Sequence, residues 1–474
     1  MASLHDLTAA EAARQIHAGR LRPMSYLDAC LARIDACEPE LGAWVHLDRE
    51  GAWRAAQERE REVGLGRSAG ALHGIPVAVK DNIDVAGLPT TVGAGAFAHR
   101  TPAVDAAAVT RLRTEGTVVL GKVATTAFAH LDPTPTRNPW NLAHTPGGSS
   151  SGSAAAVAAR MAPLALGTQT AGSVLRPAAY CGVVGFKPSH GRISTTGVVP
   201  LAWSLDHVGI FSRSVEDAAL ALGVLAGADA ADPRSSAAPV DDYLAGLVDP
   251  PAPRLGFLRP LLARTTPEMA AHVEAVAQMF RERGASVIEV ALPPSFAGDA
   301  GALGTTIVAN EAVHRHAHAF AVSGIHDAAR TVVQAEAAAA HHELFAAHAG
   351  EFPPKIRQAL EDGQDVPAVP FLLAQETRRR FRTQATAVAV RYDALLTPTV
   401  GAPAPKGLDA TGDPYFCTPW SAAGMPAIAL PSGLSGDGLP LSIQLVGAPC
   451  AEARLLAAAA WCERVLAFDH LPPG

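Results

Sequence analysis

Apolar positions recur at helical spacing through Pro23-Met-Ser-Tyr-Leu-Asp-Ala-Cys-Leu-Ala-Arg-Ile34, and Thr8-Ala-Ala-Glu11 ahead of it fits a capping box that opens an earlier helix. A charged helix over 49–63 ends near Gly64 and Gly66. The pattern then changes period. Ile75-Pro-Val-Ala-Val79 is a nearly unbroken apolar run closed by Lys80, as a buried strand would be. Asp105-Ala-Ala-Ala-Val-Thr-Arg-Leu-Arg113 reads as a helix and Thr117-Val-Val-Leu-Gly-Lys122 as a short strand, so helices and strands alternate and an α/β layer fold is expected. A second such unit follows, with strands over 254–258 and 286–290 around a helix over 266–283, then a strand over 392–399 and a last helix over 452–467. The Asp-, Pro-, Ser- and Ala-rich stretch 227–254 reads as a surface connection, and 301–390 as mostly helical.

The stretch 144–177 stands apart, with two Gly- and Ser-rich turns separated by Ala154-Ala-Ala-Val-Ala-Ala159. A flexible linker would share the Gly and Ser, but not a buried helix between its halves. Glycine lets main-chain N–H groups approach a substrate closely, and successive N–H groups aimed at one point stabilise an oxyanion. The Gly147 to Gly152 spacing is that of a phosphate-binding loop, yet Ser153 stands where its lysine belongs. Gly148-Ser-Ser-Ser-Gly152 fits a nucleophile elbow on Ser150, but Asn138-Pro-Trp-Asn141 and Thr145-Pro146 precede it where a strand is needed.

A third reading looks elsewhere for a base. The chain has five lysines, and Lys80 ends a buried strand, where desolvation lowers an amine's pKa and lets it act as a neutral base. Gly74-Ile-Pro-Val-Ala-Val-Lys-Asp-Asn82, Pro146-Gly-Gly-Ser-Ser-Ser-Gly152 and Gly167-Thr-Gln-Thr-Ala-Gly-Ser173 together resemble the amidase signature family in order, residue types and separations. The resemblance implies a three-layer α/β/α fold with a large mixed central sheet. It assigns Lys80 as general base, Ser149 as the bridging serine after a cis peptide, and Ser173 as nucleophile. The backbone N–H groups of Thr170, Ala171, Gly172 and Ser173 would form the oxyanion hole. Each role has a chemical reason: a serine hydroxyl needs a positioned base, and a second hydroxyl can relay the proton because it both donates and accepts.

Arg176 and Gln169 look nearest to the malonamidase branch, whose arginine near the nucleophile grips a substrate carboxylate; the competing role for Arg176 is to pair with a buried protein carboxylate. Trp203 is a candidate for the pocket lining or for the core. Lys122 is the rival base, and Asp206-His207 tempts a Ser-His-Asp triad, although adjacent strand residues face opposite ways. His314, His316, His318, His341, His342 and His348 carry no metal signature and read as solvated or pocket-lining.

The whole chain, 1–474, is expected as a single amidase signature domain, with 1–66 a helical segment and 301–390 a variable helical region shaping a substrate funnel. A net charge of -7 gives no reason to expect nucleic acid or an anionic membrane as partner. The N-terminus lacks a signal peptide, placing the protein in the cytoplasm, and six cysteines without Cys-x-x-Cys spacing read as reduced core residues. The expected activity is hydrolysis of a carboxamide, with carbamates (urethanes) or esters on the same machinery, without metal or organic cofactor. A small amide or carbamate is the expected partner, and a homodimer is the assembly allowed for. The alternative is an amidotransferase subunit delivering ammonia from glutamine within a tRNA-dependent complex.

Overall fold

The computed structural model describes residues 3–67, 70–95, 99–296 and 324–473. Its strands are β1 (Trp44–Leu47), β2 (Pro76–Lys80), β3 (Val118–Val123), β4 (Leu164–Gln169), β5 (Val184–Lys187), β6 (His207–Ser212), β7 (Arg254–Phe257), β8 (Ser286–Glu289), β9 (Ala394–Pro398), β10 (Ala427–Leu434) and β11 (Pro440–Val446). All join one eleven-stranded sheet in the order β1-β3-β2-β4-β6-β5-β10-β11-β9-β7-β8. The sheet is mixed. β2 runs parallel to β3 and β4, and β7 parallel to β8 and β9, while β4, β6, β5, β10, β11 and β9 meet their successive neighbours antiparallel.

Side-chain alternation sorts the sheet residues between two cores. Val77 and Val79 of β2 pack with the helices Ala9–His17, Ala107–Thr114 and Val215–Leu225, whereas Ala78 packs with the helices Pro23–Leu41 and Ser151–Ala158 on the other face. Helices therefore cover both faces, giving the three-layer α/β architecture expected. The short helix Ser151–Ala158 is all small side chains, every one buried, which lets it lie close over β2, β3 and β4.

The segment 1–66 departs from a purely helical reading. Trp44–Leu47 is an edge strand that pairs antiparallel with β3, between the helices Pro23–Leu41 and Arg49–Gly64. Its pattern of half-buried and exposed side chains gave no alternation to read. Of the 301–390 segment, the helices Ile325–Ala340, His342–His348, Pro354–Gln364 and Ala368–Ala389 are described, and His314, His316 and His318 lie outside the described residues. Two cysteines also depart from expectation, because Cys37 is half-buried and Cys450 exposed; all six are free.

Candidate active site

Two strand ends and one helix start converge. Lys80 closes β2, Thr168 and Gln169 close β4, and Ser149 lies in the loop just before the helix Ser151–Ala158. The Gly148–Ser149 peptide is cis, and Ser149 O accepts from Thr126 N at 3.1 Å, so the loop is fixed against the segment after β3. Lys80 is fully buried, and its Nζ lies 2.8 Å from Ser149 Oγ, 2.8 Å from Thr168 Oγ1 and 3.3 Å from Thr168 O. Asn82 Nδ2 donates to the same Thr168 hydroxyl at 3.0 Å. Burial holds the Lys80 amine well below its ordinary pKa, opposed by the negative charge of Asp206. Burial thereby favours the neutral form of the amine.

A neutral amine has two hydrogens and one lone pair. Thr168 O can only accept, so one hydrogen belongs there, and the Ser149 hydroxyl is the partner able to donate into the lone pair. No hydrogen bond joins the Ser149 and Ser173 hydroxyls among the described residues. The two loops meet through the backbone, with Ser150 N donating to Ser173 O at 3.4 Å. The Ser150 hydroxyl donates to Thr168 O at 3.2 Å and Ser151 Oγ to Gly147 O at 2.7 Å, so neither faces outward.

The turn 170–173 leads from β4 into the helix Leu175–Cys181, and all four of its residues line a cavity of about 870 Å3. Gly172 is required by its neighbours: a Cβ there would lie 2.9 Å from Pro414 Cβ and 3.3 Å from Cys417 Cβ. The turn is closed by Gln169, whose Oε1 accepts from Val174 N and Leu175 N at 2.7 and 2.9 Å and whose Nε2 donates to Ser421 Oγ at 2.8 Å. Ser421 Oγ in turn donates to Ala171 O at 2.7 Å.

The expected substrate contact of Gln169 is corrected by this arrangement, since its amide is consumed by the turn and it is absent from the cavity wall. Arg176 does border the cavity, but its guanidinium donates to Gly412 O, Gly148 O and Thr411 Oγ1 at 2.6, 2.7 and 3.1 Å. Among the described residues it meets backbone carbonyls and a hydroxyl rather than a protein carboxylate, and braces the serine loop against the segment 411–418. Trp203 is half-buried and outside the cavity lining. Lys122 is paired with Asp81 Oδ1 at 3.1 Å, both side chains fully buried, and donates to Thr90 Oγ1 at 2.8 Å. His207 bonds Gln169 O at 3.2 Å, so Asp206-His207 forms no triad with Ser173.

Sequence reasoning missed Thr168, Asn82 and the cavity walls. His326 and Tyr415 stack at 4.2 Å with Phe296 edge-on at 5.3 and 6.1 Å, and Arg264 lies over the Tyr415 ring. Burial lowers both cavity histidines, His130 and His326, to about 4, leaving them neutral. Asn82 and Thr168 sat inside the quoted motifs, but nothing in a linear pattern shows that they face one amine.

Comparison with known proteins brings in the same group of enzymes from several sides. The Amidase family profile matches residues 25–456. Among curated relatives, a glutamyl-tRNA(Gln) amidotransferase subunit of Chloroflexus aggregans (strain MD-66 / DSM 9485) is 35% identical over 476 residues, covering 96% of each chain. The one of the same name from Anaeromyxobacter sp. (strain K) is 37% identical, covering 98% of this chain and 97% of its own. Of the solved structures, the native peptide amidase from Stenotrophomonas maltophilia superposes with a TM-score of 0.82 at 31% identity, covering 99% of this chain and 98% of its own. A substrate complex of 6-aminohexanoate cyclic dimer hydrolase gives 0.85 at 26% identity, covering 99% of both.

The relatives' names overturn one expectation. They describe subunits of a tRNA-dependent enzyme, so a net charge of -7 does not restrict the partners to a small molecule or exclude nucleic acid. Net charge speaks for one chain's own surface, and a subunit can serve an assembly in which another chain meets the RNA. No helix among the described residues is long and apolar enough to cross a membrane.

Proposed function

The chain belongs to the amidase family, and from that membership we propose that it cleaves a carboxamide C–N bond through an acyl-enzyme formed on Ser173. The observation that carries this reading is the fully buried Lys80 amine 2.8 Å from Ser149 Oγ, beside a turn that borders the cavity. Neutral Lys80 accepts a proton from Ser149, which takes one from Ser173 as the Ser173 oxygen bonds to the carbonyl carbon. The N–H groups of residues 170–173 receive the oxyanion, each such donor being worth about a hundredfold or more in rate. Ser149 then protonates the departing nitrogen, ammonia or an amine leaves, and water releases the acid.

Two settings use this chemistry. In one the protein is a subunit that frees ammonia from glutamine for a tRNA-linked acceptor, and the names of the curated relatives favour it. In the other it is a free-standing amidase, supported by the likeness to the peptide amidase and the cyclic dimer hydrolase. Release of ammonia or amine from glutamine, malonamate, an aliphatic amide, an anilide and a carbamate distinguishes them. Ser173→Ala and Lys80→Ala are expected to lower turnover at least about a thousandfold. Preference for glutamine together with a copurifying partner chain supports the first setting, and turnover of other amides by the isolated chain the second. Full activity in Ser173→Ala contradicts the reading in either setting.

A further inference from the structure

Asp206 lies immediately before β6 and faces the end of β4. Its Oδ1 accepts from Thr170 Oγ1 at 2.5 Å, and its Oδ2 from Leu201 N and Ala202 N at 2.8 and 2.9 Å. Thr170 belongs to the oxyanion turn and Leu201 to the cavity wall, so one carboxylate ties together two parts of the site. It does so without an ion pair among the described residues. Holding a buried carboxylate this way is costly, and a neutral amide could make the same three contacts, so the charge itself calls for a reason.

The reason is at the end of the neighbouring strands. Burial drives the Lys80 amine down, and the Asp206 charge is what opposes it. The carboxyl is pushed up to about 6 by burial, with Thr170, Leu201 and Ala202 pulling it back and Glu336 adding to the rise. The other charged groups near it are accounted for. Glu336, on the helix Ile325–Ala340, is held by Ser204 N and Oγ at 2.9 and 2.6 Å; Arg378, on the helix Ala368–Ala389, bonds Ser204 Oγ at 2.8 Å and acts on Glu336. His207, next along β6, is kept neutral by burial.

We propose that Asp206 is a positioning residue for the reaction, locking Thr170 of the oxyanion turn to the Leu201–Ala202 wall. The inference rests on the reading of Lys80 as base and Ser173 as nucleophile.

The test is the rate at which a fluorophosphonate labels Ser173, followed by intact mass across pH. The Ser173 oxygen bonds to phosphorus, fluoride leaves and the serine proton passes to Lys80 through Ser149, so no natural substrate is needed. Asp206→Asn keeps the geometry: its oxygen takes the Leu201 and Ala202 N–H groups, and its NH2 donates to the Thr170 hydroxyl. Without the charge the protonated amine is less favoured, so the acid limb moves to lower pH. Its plateau rate falls no more than severalfold, whereas Asp206→Ala, which frees the turn, loses tenfold or more, as expected when an oxyanion donor is misplaced. Thr170→Val keeps the carboxylate but removes its grip, lowers the plateau severalfold, and carries the test if Asp206→Asn does not fold. An Asp206→Asn plateau as low as that of Asp206→Ala, or a wild-type plateau in Thr170→Val, overturns the inference. Label surviving Lys80→Ala, or a wild type that takes no label, sinks the reading beneath it instead.

Discussion

Two lysines at the same edge of the sheet show how far residue type falls short of residue function. Lys80 and Lys122 each follow a buried apolar strand, and both are enclosed. Lys80 meets only hydroxyls and a carbonyl, whereas Lys122 meets the Asp81 carboxylate. Burial lowers both amines, but at Lys122 the Asp81 carboxylate opposes the shift from within an ion pair, with a hydrogen bond as well as its charge. Removing Lys122 as Lys122→Met leaves Asp81 buried and unpaired, and should cost about 3–5 kcal/mol in denaturant unfolding. Lys80→Arg should instead lower turnover by about a hundredfold or more, because a guanidinium cannot become neutral. The pH profile follows from the same point. In the mechanism proposed above activity needs neutral Lys80, so it should be present above that group's lowered folded-state pKa and lost as pH falls through it, with an acid limb far below 10.5. The positions of Lys80, Ser149 and Ser173 were legible as motifs. Gln169 and Arg176 were legible as donors and acceptors, but the hydroxyl and carbonyl groups that claim them come from segments up to 252 residues away in sequence.

At the scale of the element, the serine loop depends on how closely the helix Ser151–Ala158 can approach β3. A Cβ on Gly152 would lie 2.3 Å from both Ala124 N and Ala43 O, and 3.0 Å from Val123 C, all backbone atoms that cannot swing aside. Gly152→Ala should therefore destabilise the protein by about 1–3 kcal/mol in thermal or denaturant melting, and displace Ser149 from Lys80. The alanine run announced this helix in the sequence. The strands β4, β5 and β10 were not announced by alternation, since all but the last half of β10 is buried on both faces. β11 does alternate, with Leu441, Ile443 and Leu445 against Ser442 and Gln444, and β1 was lost inside a helical reading because four residues at a sheet edge are too few to set a period.

At the scale of the whole molecule, helix–strand alternation was enough to anticipate an α/β architecture, but not the sheet order, in which β10 and β11 from the chain's end enter between β5 and β9. Partners were legible least of all. A charge of -7 is an average over the chain, and the relatives named as amidotransferase subunits make an assembly the first thing to look for. Affinity purification of the full chain from its own cell extract should bring down a stoichiometric second chain if it serves such an assembly, and the chain alone if it is free-standing. Both outcomes leave the same chemistry at Ser173, and the covalent intermediate tests that chemistry most directly. Enzyme mixed with glutamine or another turned-over carboxamide, quenched in acid and digested, should carry the acyl group on the peptide containing Ser173, with none in Ser173→Ala. An acyl group found on Ser150, or full turnover in Ser173→Ala, would contradict the account.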